Sequence, residues 1–418
     1  MTDLASIERL HQQLLERINL SMIDKLPPAE VTAQVGRIVR AMLADEGSAL
    51  DQSQQTDLVR GIVDELLGLG PLEPLLRDPG ISDILVNTSS QVIVERDGRL
   101  QQTPVHFKDD RHLLRIINKI VGAVGRRVDE SQPLVDARLP DGSRINAVVP
   151  PVAVDGPLLS IRKFSRIPFN LDSLVAGGTL TAASAELLAG IVRARLNVII
   201  SGGTGSGKTT LLNAMSRAIG HDERIITIED AAELQLQQPQ VARMETRPPN
   251  AEGRGEITQR DLVRNALRMR PDRIILGEAR AGEAFDMLQA MNTGHDGSMS
   301  TIHANSCRDA LSRLEQMIGM ADIDMPVRSL RAQIASAIRV VIQLERMGDG
   351  RRRLVSLQEI TGMEGEVVSM NEIFRFERQG LDATGGVLGE LRPTGLRPRF
   401  CVEMESKGIR LPVSLFGG

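Results

Sequence analysis

Apolar residues in the first part of the chain recur at the spacing of amphipathic helices. One series runs from Ile7 to Ile18, a second from Val31 to Met42 and a third from Leu58 to Leu66. Two prolines and a polar run at 51–55 separate the three series. The pattern predicts a helical bundle over residues 1–67, and such a bundle serves docking more often than catalysis.

The pattern changes near residue 68, where short strand-like runs replace the helical spacing. Two such runs are 84–86 and 92–94, and one helix is predicted from His112 to Val121. We therefore expect a smaller α+β domain over residues 68–164. Residues 165–181 are rich in turn residues and have few periodic positions, which is typical of a linker.

From Leu180 onward, apolar runs of strand length alternate with runs of helix length. The strand-like runs are 197–200, 224–228, 273–276 and 299–302. This alternation indicates a parallel sheet with helices on its faces. The fold class is therefore α/β for a domain over residues 182–418, with a weaker pattern after Asp349 that we assign to a C-terminal extension.

The strongest chemical signal is a glycine-rich run between a predicted strand and a predicted helix. Residues 202–209, GGTGSGKT, match the phosphate-binding pattern G-x-x-x-x-G-K-[ST]. Lys208 is expected to reach the β and γ phosphates of ATP, and Thr209 to give its hydroxyl to Mg²⁺. Backbone N–H groups at the start of the helix add to this anion site. The predicted nucleotide-binding residues here are Gly203, Thr204, Gly205, Ser206, Gly207, Lys208, Thr209 and Thr210.

A later strand-like run ends in Gly277-Glu278 and has the character of a Walker B strand. Most P-loop enzymes place a metal-binding aspartate at the end of this strand, but here that position is Gly277. Glu229 and Asp230 end the preceding predicted strand at the same edge of the sheet. Either acid is expected to hold the metal with Thr209, and the choice between them stays open. Glu278 is then the group that orients or deprotonates the attacking water.

Two histidines flank the predicted strand 299–302. His303 follows the strand and His295 lies in the loop before it. Because ligands bind at the carboxyl edge of a parallel sheet, we predict that His303 senses the γ-phosphate. For His295 a nucleotide contact and a structural role are evenly balanced, and we retain it as a candidate nucleotide-binding residue.

Three arginines of the first domain are candidate phosphate contacts. Arg138 and Arg144 flank the turn at Asp141-Gly142, and Arg162 precedes the linker. Arginine suits this role because its planar guanidinium binds phosphate at two points and stays charged. We expect Arg138 and Arg144 to act in catalysis and Arg162 to bind nucleotide, with ATP drawing the two domains together around the linker.

Composition narrows the functional classes. Lys and Arg number 50 against 54 Asp and Glu, so the net charge of −4 gives no global attraction to nucleic acid. Trp and Tyr are absent, which argues against gripping single strands by stacking, and the two distant cysteines exclude a cysteine-rich zinc site. The sequence has no signal-peptide pattern and no apolar stretch of about 18 residues. We therefore expect a cytoplasmic protein that meets membranes only through partners.

Four segments in this order resemble the secretion ATPases of the type II and type IV secretion superfamily: RIITIEDAAELQL, RPPNAEGRGEIT, LRMRPDRIILGEAR and MNTGHDGSMSTIHAN. The likeness runs from about residue 68 to residue 344 and is most evident with the ATPases of the tight-adherence (Flp) pilus, the CpaF/TadA family. The resemblance implies a RecA-like ATPase domain preceded by a PAS-like domain. It also implies a homo-hexamer that works with inner-membrane platform proteins at the cytoplasmic face and drives extrusion of pilin subunits.

By matching position, the resemblance gives the same residues the roles argued above. Walker A is 202–209, the acidic box is centred on Glu229 and Asp230, Walker B ends in Glu278, and the His box includes His295 and His303.

Two other classes of function stay open on the residues alone. A nucleic-acid translocase of RecA-like design would need a basic track and stacking groups. The run Arg351-Arg352-Arg353 is interpreted instead as a solvated turn. A nucleotide-gated scaffold would bind ATP without turnover, and the presence of both Lys208 and Glu278 argues against it.

Overall fold

The computed structural model describes residues 28–45, 51–96, 98–139, 141–163, 169–249, 253–321, 323 and 325–417. The chain divides into two compact units, Met1–Ser165 and Arg166–Gly418. The first predicted helical series, Ile7 to Ile18, lies outside the described residues. Within the described part of the chain, no helix is long and apolar enough to cross a membrane.

Two helices open the described part of the first unit, α1 (Pro28–Asp45) and α2 (Gln52–Leu66). The Asp51 carboxylate accepts a hydrogen bond from the Gln54 N–H, and the Gln54 side chain accepts one from the Asp51 N–H. This capping box satisfies two donors at the start of α2. Valines of α1 spaced four residues apart share a small core with Leu58 and Ile62 of α2. These are the second and third helices that the apolar spacing predicts.

The rest of the first unit is an antiparallel sheet with a helix packed on it. Among the described residues the sheet has six strands in the order β3-β2-β1-β6-β5-β4. Their bounds are β1 Ile81–Thr88, β2 Gln91–Arg96, β3 Arg99–Gln102, β4 Leu134–Arg138, β5 Arg144–Val148 and β6 Leu158–Arg162. α3 (Glu73–Arg77) precedes the sheet, and α4 (Asp110–Ala123) shares its buried apolar core.

The second unit is built on a sheet of nine strands in its described residues, in the order β15-β14-β13-β12-β7-β11-β10-β8-β9. The strands from β12 to β9 in this order are parallel, and β13, β14 and β15 add antiparallel ones. Their bounds are β7 Val198–Gly202, β8 Ile225–Glu229, β9 Val241–Glu245, β10 Arg273–Ala279, β11 Met299–Ile302, β12 Val340–Arg346, β13 Arg352–Glu364, β14 Val367–Leu381 and β15 Val387–Pro393.

Helices cover both faces of this sheet, as the alternation of apolar runs predicts. They are α5 Leu171–Ala176, α6 Ala182–Arg193, α7 Lys208–Ser216, α8 Gln259–Ala266, α9 Glu283–Asn292, α10 Cys307–Gly319, α11 Val327–Ala337 and α12 Phe400–Ser406. One core joins α6, α7 and α12 to the sheet, and a second core joins α8 to α11 to its other face. The central strands β7 and β8 are buried along their whole length, as strands covered on both faces must be.

Three element boundaries differ from the sequence predictions. The predicted linker over 165–181 contains α5, which begins with a capping box between Asn170 and Ser173. β10 continues to Ala279, so Gly277 and Glu278 lie within the strand rather than after it. The weakly patterned tail after Asp349 forms the three antiparallel strands β13 to β15, which extend the parallel sheet instead of standing apart from it.

Candidate functional site: a P-loop with an acidic edge

The glycine-rich loop lies between β7 and α7, at the carboxyl edge of the parallel strands. Gly207 precedes the first residue of α7 with φ of 96°, a left-handed conformation that a side chain disfavours. The loop can therefore turn sharply and direct backbone N–H groups toward the start of the helix, where the helix dipole also favours anions. Lys208, Thr209 and Thr210 form the first turn of α7.

The Lys208 ammonium contacts the backbone of the P-loop. Its Nζ donates to the carbonyl oxygens of Gly202 at 3.0 Å and Gly203 at 3.1 Å, and it lies 3.9 Å from Glu278 Oε1. Burial lowers the pKa of Lys208, and the charge of Glu278 opposes that shift. The group that neutralises phosphate and the predicted base thus lie side by side.

Arg280 joins the two predicted acids, Glu278 and Asp230. Its guanidinium donates to Glu278 Oε2 at 2.7 Å and to Asp230 Oδ2 at 2.7 Å. Arg280 Nε also donates to Glu278 Oε2, at 3.0 Å, and the two hydrogen bonds fix the orientation of that carboxylate. No local pattern in the sequence predicts this role for Arg280, because the three groups meet only where the ends of β8 and β10 lie side by side.

Glu229 ends β8 and is 3% exposed. Its Oε2 accepts hydrogen bonds from the N–H groups of Glu233 at 2.7 Å and Leu234 at 2.9 Å. Its Oε1 is buried and has no hydrogen-bond partner among the described residues. This oxygen is therefore available to a cation or to a water of its shell.

There is little space for a side chain at Gly277, the position where the common Walker B pattern has an aspartate. A Cβ on Gly277 would lie 2.9 Å from Glu229 Cγ, closer than the two carbons can approach. The Glu229 side chain fills the place that a residue with a side chain at 277 would need. A carboxylate of the neighbouring strand β8 thus lies beside the position where the common Walker B pattern has its aspartate.

The structure separates the roles of the two neighbouring acids. Asp230 Oδ1 accepts from Gln259 Nε2 at 2.8 Å, and its Oδ2 accepts from Arg280. Among the described residues no cluster of three or more His, Cys, Asp or Glu side chains could hold a metal by itself. The unpartnered Glu229 Oε1 and the Thr209 hydroxyl are oxygen donors of the kind that Mg²⁺ takes, with water and phosphate oxygens as its other ligands.

Burial raises the pKa of Glu229 to about 7, against two backbone hydrogen bonds that lower it. The Glu229 carboxyl group therefore binds its proton more tightly in the folded state than in the unfolded chain. The stabilisation is present at low pH and is lost as the pH rises from the ordinary carboxyl range to about 7. We expect Glu229→Gln to raise the melting temperature of the nucleotide-free protein at pH 8 and to make it fall less between pH 5 and pH 8. If the melting temperatures of the two proteins changed with pH by the same amount between pH 5 and pH 8, the raised pKa of Glu229 would be contradicted.

The two histidines of the His box lie at opposite edges of the sheet. Ile302 pairs with Ser201 of β7, so His303 follows at the carboxyl edge, where it is exposed next to the P-loop. His295 precedes β11 at the amino edge, and its Nδ1 lies 3.2 Å from the Ala290 carbonyl oxygen at the end of α9. The structure brings His303 to the site and does not bring His295 there. A residue before a parallel strand lies at the edge away from the ligand, a signal that the sequence already contained.

The three candidate arginines of the first unit form one row across neighbouring strands. Arg138 pairs with Arg144 on β5, Arg144 pairs with Arg162 on β6, and Arg162 pairs with Asp83 on β1. Directly paired residues of antiparallel strands point to the same face of the sheet. Arg162 Nε donates to Asp83 Oδ1 at 3.1 Å.

The run 351–353 is not the solvated turn that the sequence suggested. Only Arg351 is exposed. Arg353 is 9% exposed, and its Nη2 donates to Asp349 Oδ2 and to the Val387 carbonyl oxygen, both at 3.1 Å. Arg352 donates to the P-loop itself, from Nε to the Gly205 carbonyl oxygen at 2.9 Å. Arg352 and Gly205 are separated by 147 positions in the chain, and no sequence motif predicts their contact.

This arrangement of a P-loop, a paired lysine and glutamate and a second acidic strand end agrees with the matches to known proteins. A family model described as a type II/IV secretion system protein matches residues 65–373, which is more than half of the chain. The chain therefore belongs to the type II/IV secretion system protein family.

Relatives of similar length carry names from several secretion and transfer systems. A Mycobacterium tuberculosis protein whose name assigns it provisionally to conjugal transfer is 42% identical over 315 residues, covering 74% of this chain and 89% of the relative. The type IV secretion system protein PtlH of Bordetella pertussis is 38% identical over 315 residues, covering 69% and 92%. The X-ray structure of the Yersinia pseudotuberculosis ATPase DotB shares the fold, with a TM-score of 0.51 and 19% identity over 69% of this chain and 77% of that one.

Proposed function

We propose that this chain hydrolyses ATP at the carboxyl edge of β7, β8, β10 and β11. The observation that carries the proposal is the 3.9 Å separation of Lys208 Nζ and Glu278 Oε1. The ammonium marks where the β and γ phosphates bind, so the carboxylate lies beside the γ-phosphate and its attacking water. Glu278 accepts the proton of that water or orients it, and Arg280 holds the carboxylate in place.

The remaining groups complete the site around the phosphates. Thr209 and Glu229 hold Mg²⁺, which when bound neutralises charge on the phosphate oxygens. His303, at the end of β11, lies at the edge where loss of the γ-phosphate is sensed. Arg138, Arg144 and Arg162 supply guanidinium groups from the first unit.

The hydrolysis powers assembly of a tight-adherence (type IVb, Flp) pilus. In this proposal the chain works as a homo-hexamer at the cytoplasmic face of the inner membrane, where platform proteins convert its motion into extrusion of pilin subunits. Membership of the secretion family and the four segments quoted above support this role. The relatives named for conjugal transfer give the alternative, in which the same motor serves transfer of another macromolecule.

A phosphate-release assay tests the chemistry. We expect the purified chain to release phosphate from ATP in the presence of Mg²⁺, and Lys208→Ala to lose both ATP binding and release because the ammonium no longer neutralises the phosphates. A mass measurement with ATP bound checks for a particle of six copies. A wild-type chain that binds ATP without releasing phosphate would instead be a nucleotide-gated scaffold.

The biological role needs a test of its own. A strain that carries Lys208→Ala in place of the wild-type chain is expected to lose surface pili and to keep its capacity to transfer DNA. Loss of transfer with normal pili would assign the motor to conjugation and overturn the pilus role. A gel shift with the purified chain at two salt concentrations adds a check, because salt-sensitive binding would favour a nucleic-acid translocase.

A further inference from the structure

Two arginines, Arg346 and Arg352, lie next to the P-loop on the side of β7 opposite to Glu278. β12 runs parallel to β7 with Leu344 beside Gly202, so Arg346 lies just beyond the point where the P-loop begins. β13 returns antiparallel and places Arg352 directly opposite Arg346. The β12–β13 hairpin thus presents two half-buried guanidinium groups at the carboxyl edge of the sheet.

Both side chains approach the glycines of the loop. Arg352 Nε donates to the Gly205 carbonyl oxygen at 2.9 Å, and Arg352 Cδ lies 3.4 Å from the point where a Cβ of Gly207 would lie. Arg346 Nη1 lies 3.3 Å from the corresponding point on Gly205. Both arginine side chains therefore lie against the glycines of the P-loop.

The order of the strands sets the direction in which a bound nucleotide runs. β7 has β11 and then β10, with Glu278, on one side, and β12 on the other. The phosphate that reacts must lie on the Glu278 side, where Lys208 Nζ meets the carboxylate. The opposite end of the nucleotide therefore extends toward the β12–β13 hairpin.

We infer that Arg346 and Arg352 form the subsite for the nucleoside monophosphate end of the nucleotide, the α-phosphate with its ribose and base. This inference rests on the proposed ATP site. The guanidinium N–H groups donate to α-phosphate oxygens, and their planar faces pack on the base, a surface that other proteins build from Trp or Tyr, which this chain lacks. The hydrogen bond from Arg352 Nε to Gly205 fixes the plane of that guanidinium before the nucleotide arrives.

Binding measurements with ATP and with pyrophosphate, each with Mg²⁺, test the inference. Pyrophosphate occupies the part of the P-loop next to Lys208 and lacks the α-phosphate, the ribose and the base. We expect Arg346→Ala and Arg352→Ala each to raise the Kd for ATP roughly 10-fold to 100-fold, the scale of a charge-assisted contact. The Kd for pyrophosphate should change by less than about twofold. Arg351→Ala removes a neighbouring exposed arginine of the same hairpin and should leave both constants unchanged.

Three results would overturn the inference about Arg346 and Arg352. Equal weakening of ATP and pyrophosphate would mean that the arginines only hold the P-loop in shape. Unchanged ATP affinity in both variants would remove them from the site. If Arg352→Ala disturbs folding through Gly205, Arg346→Ala decides alone, and a wild-type Kd for ATP in that variant contradicts the subsite. A wild-type chain that binds neither ATP nor pyrophosphate would instead overturn the proposed function itself.

Discussion

Glu278→Gln is expected to lower the rate of phosphate release by roughly two to four orders of magnitude, the contribution of a positioned general base. The amide keeps the shape of the side chain and can still accept a hydrogen bond from Arg280. It cannot take up the proton of the attacking water, so ATP binds and the chemical step stalls. Removal of the negative charge 3.9 Å from Lys208 Nζ also leaves the ammonium freer to attract phosphate. We therefore expect ATP affinity equal to or higher than that of wild type.

The two readouts separate a base from a structural residue. Kd for ATP is measured by titration with the stalled protein, and phosphate release under single-turnover conditions reports the chemical step without product release. Glu345→Gln, the same change at an exposed position of β12, is the matched control and should behave as wild type. A Glu278→Gln protein that releases phosphate at the wild-type rate would remove Glu278 from the reaction.

Much of the second unit could be predicted from the sequence because short, continuous patterns mark its elements. The P-loop follows from one continuous motif, and the strand Met299–Ile302 agrees with its predicted bounds because four apolar and small residues are flanked by polar turns. α8 begins with a capping box between Thr258 and Asp261, whose three-residue spacing can be recognised in the sequence. α5 had the same kind of signal in Asn170 and Ser173, but nearby glycines and a proline obscured it.

The parts that sequence reasoning missed depend on packing between distant positions. A side chain at Gly277 would meet Glu229 of the neighbouring strand, whose Cγ lies 2.9 Å from the position of a Cβ at 277. The contact of Arg352 with Gly205 joins two loops through a shared sheet edge. Neither fact has a local pattern, since each depends on which strands become neighbours. The resulting site is therefore predictable in its motif and not in its supporting contacts.

The arginine row of the first unit gives the other large expected effect. Arg138, Arg144 and Arg162 are successive cross-strand neighbours, so three positive charges share one face of the sheet with Asp83 at the end of the row. Like charges in direct cross-strand pairs cost stability. A phosphate, with several oxygens and negative charge, offsets that repulsion and suits the bidentate geometry of arginine. The row is therefore the candidate phosphate contact of the first unit that the following substitutions test.

We expect Arg138→Ala and Arg144→Ala each to lower the ATPase rate by roughly one to three orders of magnitude, the range of an arginine finger or below. Arg162→Ala should also lower the rate; the Nε of Arg162 donates to Asp83. Melting temperatures without nucleotide should stay close to that of wild type, because none of the three side chains belongs to the buried apolar core of the first unit. The added thermal stability that ATP provides should shrink, because that stability follows the affinity for the nucleotide.

Arg99→Ala provides the matched control, because Arg99 is an exposed arginine on β3 at the other end of the same sheet. It should leave both the ATPase rate and the stabilisation by ATP unchanged. If the variants of the row also keep wild-type rates, the P-loop unit completes its site without them, and Arg243 and Arg247 become the arginines to test. If they lose activity together with stability in the absence of ATP, the row is structural. A fall in rate with an unchanged melting temperature in the absence of ATP, together with a smaller stabilisation by ATP, supports phosphate binding by the row.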